Sequence, residues 1–188
     1  MTPDTLKDIV EGALFAAGRA LSIEQLQQLF DEDSCPDTGS LRAVLNALEA
    51  EYAQRPVQLR QVASGWRFQV TDAVAPWVGR LWEAKPQRYS RALLETLALI
   101  AYKQPITRAE IEDIRGVSVS SQIVKTLLER EWIRVAGHKE VPGRPALFAT
   151  TRQFLDDFNL KSLADLPALA DIRNLDEIAA ELDQMTHE

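Results

Sequence analysis

The side chains that could do covalent chemistry in this 188-residue chain are few and scattered: two histidines, His138 and His187, one cysteine, Cys35, and carboxylates spread over solvent-facing helix positions. The sequence contains no Gly-x-x-x-x-Gly-Lys loop to cradle phosphate, no Cys/His cluster at metal-ligand spacing and no nucleophile elbow. Neither an enzyme nor a metal or cofactor site is expected. The groups suited to recognition are better defined. Pro142-Gly143-Arg144-Pro145 can present a guanidinium fork to a carboxylate, although the same glycine and prolines also suit a rigid turn. Ser118, Ser120, Ser121, Gln122 and Lys125 fall at the start of a helix, where a DNA reader places base-contacting side chains. Serines at that position are equally ordinary helix caps.

The elements that must position these residues occur twice. Leu14-Phe15-Ala16-Ala17 leads into Leu21-Ser22-Ile23-Glu24-Gln25-Leu26, and Leu99-Ile100-Ala101-Tyr102 leads into Ile106-Thr107-Arg108-Ala109-Glu110-Ile111. At an offset of 85, Leu14 meets Leu99, Leu21 meets Ile106, Leu26 meets Ile111 and Leu29 meets Ile114. Each copy carries a capping box, Ser22 with Gln25 and Thr107 with Glu110. In the first half, Thr5–Ala17 reads as an opening helix, and Leu41, Val44, Leu45 and Leu48 as a later amphipathic one. Val57 and Leu59, then Trp66, Phe68 and Val70, form a hairpin around Ser64-Gly65. In the second half, Ser90–Tyr102 is the opening helix, and Ile123, Val124, Leu127 and Leu128 mark its later counterpart. Trp132, Ile133 and Val135 read as a strand that returns through Ala146-Leu147-Phe148. Three helices followed by a hairpin is the winged-helix order. The fold expected is α+β and predominantly helical: two tandem winged-helix domains, each of three helices plus a β-hairpin wing, with a C-terminal acidic extension.

Residues 1–85 make the first domain, 88–155 the second and 156–188 an acidic, partly helical or flexible extension. A helix over Ala73–Trp82 closes the first domain, and Glu83–Arg88 is a polar linker. Of Trp77 and Trp82, which cannot share a helix face, one is expected to pack inward. Tyr102 and Trp132 read as core or as interface anchors. Thr150 with Gln153 reads as a further capping box.

Charge divides along the same lines. Residues 1–87 hold eight basic and twelve acidic side chains, residues 88–155 eleven and seven, and residues 156–188 two and nine. Phosphate neutralisation needs a basic face, which the first domain lacks and the second has only weakly. The 46% hydrophobic content suits a globular chain, and no apolar run is long enough to span a membrane. With no signal-peptide pattern and a single cysteine, a reducing cytoplasm is the expected compartment.

The segments Ala101–Ile111, Ile114-Arg115-Gly116-Val117, Leu127-Leu128-Glu129-Arg130 and Pro142-Gly143-Arg144-Pro145 with Ala149-Thr150-Thr151 resemble, in order and spacing, the bacterial segregation and condensation protein B family, ScpB. Ala13-Leu14-Phe15-Ala16, Pro56-Val57 and Gly65-Trp66-Arg67-Phe68 extend the resemblance more loosely, to about residues 5–155. The resemblance implies a nucleoid-associated, non-enzymatic subunit of the SMC–kleisin condensin, acting in chromosome condensation and segregation. It further implies a homodimer joined through the N-terminal domain, which grips the central segment of the kleisin ScpA and, through it, the SMC ATPase. Mapped onto this chain, kleisin contact falls to Tyr102, Arg115, Gly143, Arg144 and Pro145, and dimerisation to Leu6, Ile9, Val10 and Leu14. That last stripe could equally cover its own domain. DNA contact is at most weak or indirect, and a winged-helix transcription regulator is the alternative.

Overall fold

The computed structural model describes residues 2–81 and 89–168. The chain begins with α1 (Pro3–Ala17), whose start is capped by the Thr2 hydroxyl and carries proline in the first turn, where a missing N–H costs nothing. Its end is Gly18 in the left-handed conformation. α2 (Ile23–Gln27) and α3 (Thr38–Tyr52) follow, capped by Ser22 and Asp37. A hairpin, β1 (Val57–Val62) and β2 (Gly65–Val70), then pairs in register from Val57 opposite Val70 to Val62 opposite Gly65.

A short α4 (Ala75–Val78) continues as a 3-10 turn over Gly79–Leu81. The second half runs α5 (Arg91–Lys103), β3 (Ile106–Thr107), α6 (Arg108–Arg115), α7 (Ser121–Glu129), β4 (Ile133–His138), β5 (Ala146–Thr150) and α8 (Arg152–Asp157). Its sheet has the order β3-β5-β4, antiparallel throughout.

Two hydrophobic clusters form, one per half. The first gathers Leu6, Val10 and Leu14 of α1, Leu26, then Leu41, Leu45 and Leu48 of α3, with Leu59 and Trp66 from the hairpin. The second gathers Leu97 and Ile100 of α5, Ile111, Leu127, Trp132, Phe148 and Phe154. Both capping boxes form as expected, Ser22 with Gln25 and Thr107 with Glu110.

Several expectations are corrected. The repeat is out by one residue in its first helix. Leu14 and Ile100 are the buried pair, while Leu99 lies at the margin of its core. The reason is that Gly18-Arg19-Ala20 connects α1 to Leu21, whereas only Gln104-Pro105 connects α5 to Ile106. From Leu21 onward the offset holds: Leu26 and Ile111 are both buried, and Leu29 and Ile114 are both exposed.

The helix expected over Ala73–Trp82 is only one turn of α-helix. Trp77 is 65% exposed, so it is not the inward-packing member of the pair, and Trp82, like linker residues 83–88, lies outside the described residues. The cap of α8 is Thr151, not Thr150. Thr151 accepts from the Phe154 amide at 3.1 Å, while the Thr150 amide and hydroxyl both bond to the Gln104 side chain. Within the expected extension, Leu160 and Leu166 pack on the second core. The helical period around Leu175–Leu182 lies outside the described residues.

In both halves the chain between the first two helices lies against the hairpin. Leu21 bridges Trp66, with both backbone hydrogen bonds at 2.9 Å, and Ile106 pairs with Phe148. The first bridge sets a strict demand on Gly65. Its φ is +137°, and an added Cβ would lie 2.1 Å from the Leu21 carbonyl oxygen. Gly143 also has positive φ, but its Cβ position is open. Gly65→Ala is therefore expected to cost more than about 3 kcal/mol, since backbone strain adds to a contact that nothing flexible can relieve, against about 1–2 kcal/mol for Gly143→Ala. Urea denaturation of the two variants checks the order; equal losses would contradict it.

Candidate partner-binding surface

The loop between β4 and β5 closes on itself. The Lys139 amide donates to the Pro145 carbonyl, and the Arg144 amide to that of Val141, at 3.0 and 2.9 Å. Gly143 at φ +86° and Arg144 at φ +37° make the reversal. Glycine takes that conformation without a Cβ penalty. Arg144 holds it as a rare non-glycine residue. Its side chain is well exposed and pairs only with Glu140, four residues back, at 2.8 Å. A second tie fastens the loop to the body: Lys139 Nζ donates to Glu110 Oε1 at 2.6 Å. The other Glu110 oxygen accepts from the Thr107 amide and hydroxyl, at 2.8 and 2.7 Å. Lys139, then these donors, hold the Glu110 carboxyl down to about 2 from the usual 4.5.

The remaining residues implied for kleisin contact sit elsewhere. Arg115 ends α6, about 8 Å along the helix axis from Glu110 at 1.5 Å per residue. Its side chain is only 9% exposed, and its guanidinium bonds to Glu95 of α5 at 3.0 Å. Arg91 and then Arg115 hold the Glu95 carboxyl below its ordinary range. Arg115 thus staples α6 to α5. Tyr102, half-buried near the end of α5, donates its hydroxyl to the Pro167 carbonyl at 2.6 Å. The structure groups Gly143, Arg144 and half-buried Pro145 on the loop and holds Tyr102 and Arg115 in contacts of their own.

Of the stripe implied for dimerisation, Leu6, Val10 and Leu14 are spent on the first core, and Ile9 alone reaches the surface, at 37% exposure. Phe15, on the same helix, is exposed too and stacks on Phe68 with centroids 4.0 Å apart. Phe68 in turn packs against Tyr52, whose hydroxyl donates to Glu11.

The start of α7 behaves as a cap. The Ser120 hydroxyl accepts from the Ile123 amide at 3.2 Å. Ser121 accepts from Arg108, Gln122 bonds to Thr126 and Lys125 pairs with Glu129. The indole of Trp132, buried in the core, donates to Asp157 at 2.8 Å. That partner lies beyond the expected domain end, and the need of a buried indole N–H for an acceptor was the one signal that could have found it. Among the described residues no group of three metal-ligating side chains forms, and no helix is long and apolar enough to cross a membrane.

The β4–β5 loop, with Gly143, Arg144 and Pro145 on it, is the candidate surface that the described residues present. The profile of the family described as "Segregation and condensation complex subunit ScpB" matches residues 8–169. The chain is 56% identical over 175 residues to a segregation and condensation protein B homolog of Coxiella burnetii, covering 93% of this chain and 84% of that protein. It is 44% identical to the segregation and condensation protein B of Syntrophotalea carbinolica, over 90% and 85%. The crystal structure of ScpB from Mycobacterium tuberculosis matches 85% of this chain and 98% of that one, at 31% identity and a TM-score of 0.39. The chain belongs to the ScpB family of segregation and condensation complex subunits.

Glu110 binds its proton only near pH 2 when folded, against 4.5 otherwise, so its contribution is complete above pH 4.5 and is lost as pH falls toward 2. Glu110→Gln should therefore melt below the wild type at pH 5, with the gap closing toward pH 2. Thermal denaturation across that range tests this, and a constant gap would refute it.

Proposed function

We propose that this chain is a non-enzymatic, nucleoid-associated condensin subunit that dimerises through its first domain and binds the central segment of a kleisin of the ScpA kind through its second. Through that kleisin it acts on the SMC ATPase in chromosome condensation and segregation. Membership of the ScpB family across residues 8–169 carries the reading. Both halves are read as winged helices, the helix–helix–helix–hairpin order being repeated in each. The first domain is taken as 1–85, and the second as opening at 88 and running past 155, since Leu160 and Leu166 belong to its packing.

The charge arrangement supports a protein partner. Arg108, Arg115, Lys125, Lys139 and Arg144 each face a carboxylate of this chain. Cations paired in this way are less available to neutralise phosphates than free ones. The wing residues Gly143, Arg144 and Pro145 are the best-placed kleisin contacts, with Arg144 exchanging Glu140 for a partner carboxylate. Tyr102 and Arg115 lie off that loop, in contacts with Pro167 and Glu95, and are taken as a separate part of the kleisin-binding surface. In the dimer, Ile9 makes the contact, while Leu6, Val10 and Leu14 hold α1 in the position that presents it.

Size-exclusion chromatography with light scattering is expected to show a dimer that co-elutes with the kleisin in a ratio of two copies to one, with much less salt dependence than phosphate binding would give. A chain that ignores the kleisin overturns the reading. By calorimetry, Arg144→Glu should weaken kleisin binding about tenfold or more and Lys125→Glu less than about twofold; equal loss from both refutes the placement. Ile9→Asp should give folded monomers with an unchanged circular-dichroism spectrum and a melting temperature that no longer depends on protein concentration, whereas Leu14→Asp should fail to fold; a dimeric Ile9→Asp removes α1 from the seam.

A further inference from the structure

Gly65-Trp66-Arg67-Phe68 contains one residue that the hairpin itself does not use. Gly65 admits Leu21, Trp66 fills the core and Phe68 carries Phe15. Arg67 instead reaches into the other half of the chain. Its Nη2 donates to the Asp156 carbonyl at 2.8 Å and to Asn159 Oδ1 at 3.0 Å. The turn beside it does the same. The Ala63 amide donates to the Leu160 carbonyl, and the Ser64 amide to Asp156 Oδ1, both at 2.9 Å.

The receiving segment is shaped for this. Asn159 sits at φ +56°, and the Leu160 amide returns to the Leu155 carbonyl at 2.8 Å, the pattern that closes a helix end with a left-handed residue. That conformation leaves the Asp156 and Leu160 carbonyls and the Asn159 side chain available to one turn of hairpin. The same short segment carries Phe154 and Asp157, which pack on and hydrogen-bond to the second core.

We propose that the β1–β2 turn with Arg67 and the segment Asp156–Leu160 form a releasable latch that locks the two halves of the chain at one angle. The proposal stands on these contacts alone and is independent of any partner. Four hydrogen bonds make the contact, two from backbone amides and two from one guanidinium. A polar cleft of ≈ 590 Å³, lined by Arg60, Gln61, Thr71, Asp72, Asn159 and Lys161, borders the contact at Asn159 and admits water to that edge. Each half also closes its own core, so opening the latch exposes neither. With the latch closed, the hairpin and α8 turn as one body. With it open, residues 82–88 are the covalent join.

Amide exchange read by NMR on the full chain tests this directly, since Ala63 and Ser64 sit at a hairpin turn and have no acceptor within the hairpin. In the wild type both should exchange about 100-fold or more slower than an open turn. Arg67→Ala leaves both acceptors in place, and Asn159→Gly keeps the left-handed cap. Each should speed exchange at Ala63 and Ser64 by about tenfold or more, with the amides of Val10, Leu45 and Ile100 unchanged as a control for folding. Small-angle scattering of the double variant should show a larger radius of gyration than the wild type. Open-turn exchange in the wild type, unchanged exchange in both variants, or an unchanged radius would each overturn the latch.

Discussion

Each half of this chain depends on the same act: after its first helix, the backbone lies down against the last strand of its own hairpin. Leu21 does this against Trp66, and Ile106 against Phe148. The pairing fixes where the next helix starts, and a capping box follows at once in both halves, through Ser22 and Thr107. A helix that begins one residue after a pinned strand has little freedom in direction, so Leu26 and Ile111 arrive buried at equivalent places. The hairpin is thus the floor on which the helices are set out. Gly65 is the point of least tolerance, because there two backbones meet with no room for a side chain.

What could be read in advance follows from this. Apolar periodicity and capping residues are local signals, and they placed α1, α3, α5, α7 and the hairpins close to where they form. The first-helix register was misread by one residue because matching apolar letters, Leu14 with Leu99, outweighed a one-residue difference in the connecting loop. The cap of α8 was misplaced because adjacent threonines compete, and the choice is made at a distance: Gln104 claims Thr150 and leaves Thr151 for the helix. Residues past 155 read as an acidic appendage because their composition is polar. Among the described residues, contacts to Trp132, Tyr102 and the hairpin turn come from positions remote in the chain and leave no periodic mark.

The candidate surface was legible to an uneven degree. Gly143 and the flanking prolines announce a turn by composition, and the turn is there. Arg115 lies in a matching motif, yet its 9% exposure and its bond to Glu95 give it a mechanical task. A motif reports that a residue type matters; it does not separate a residue that touches a partner from one that holds up the residue that does. Burial shows that Arg115, Leu6, Val10 and Leu14 are engaged within the chain itself.

The distribution of ion pairs bears on the kind of partner proposed for this chain. A net positive balance over residues 88–155 suggests spare cations, but the balance is a sum and ignores pairing. Glu110 shows the difference. Its carboxylate is held at once by a cap and by Lys139, so the lysine that could have met a phosphate fastens the wing to α6 instead. Exposed pairs of this sort contribute little stability singly. Their effect is on choice of partner: an incoming polyanion must compete with a carboxylate already in place, whereas a peptide that brings apolar groups and its own carboxylate exchanges one pair for another at small cost. If the β4–β5 loop meets a partner as proposed, Arg144, whose partner among the described residues is Glu140 four residues away, is where that exchange would be cheapest.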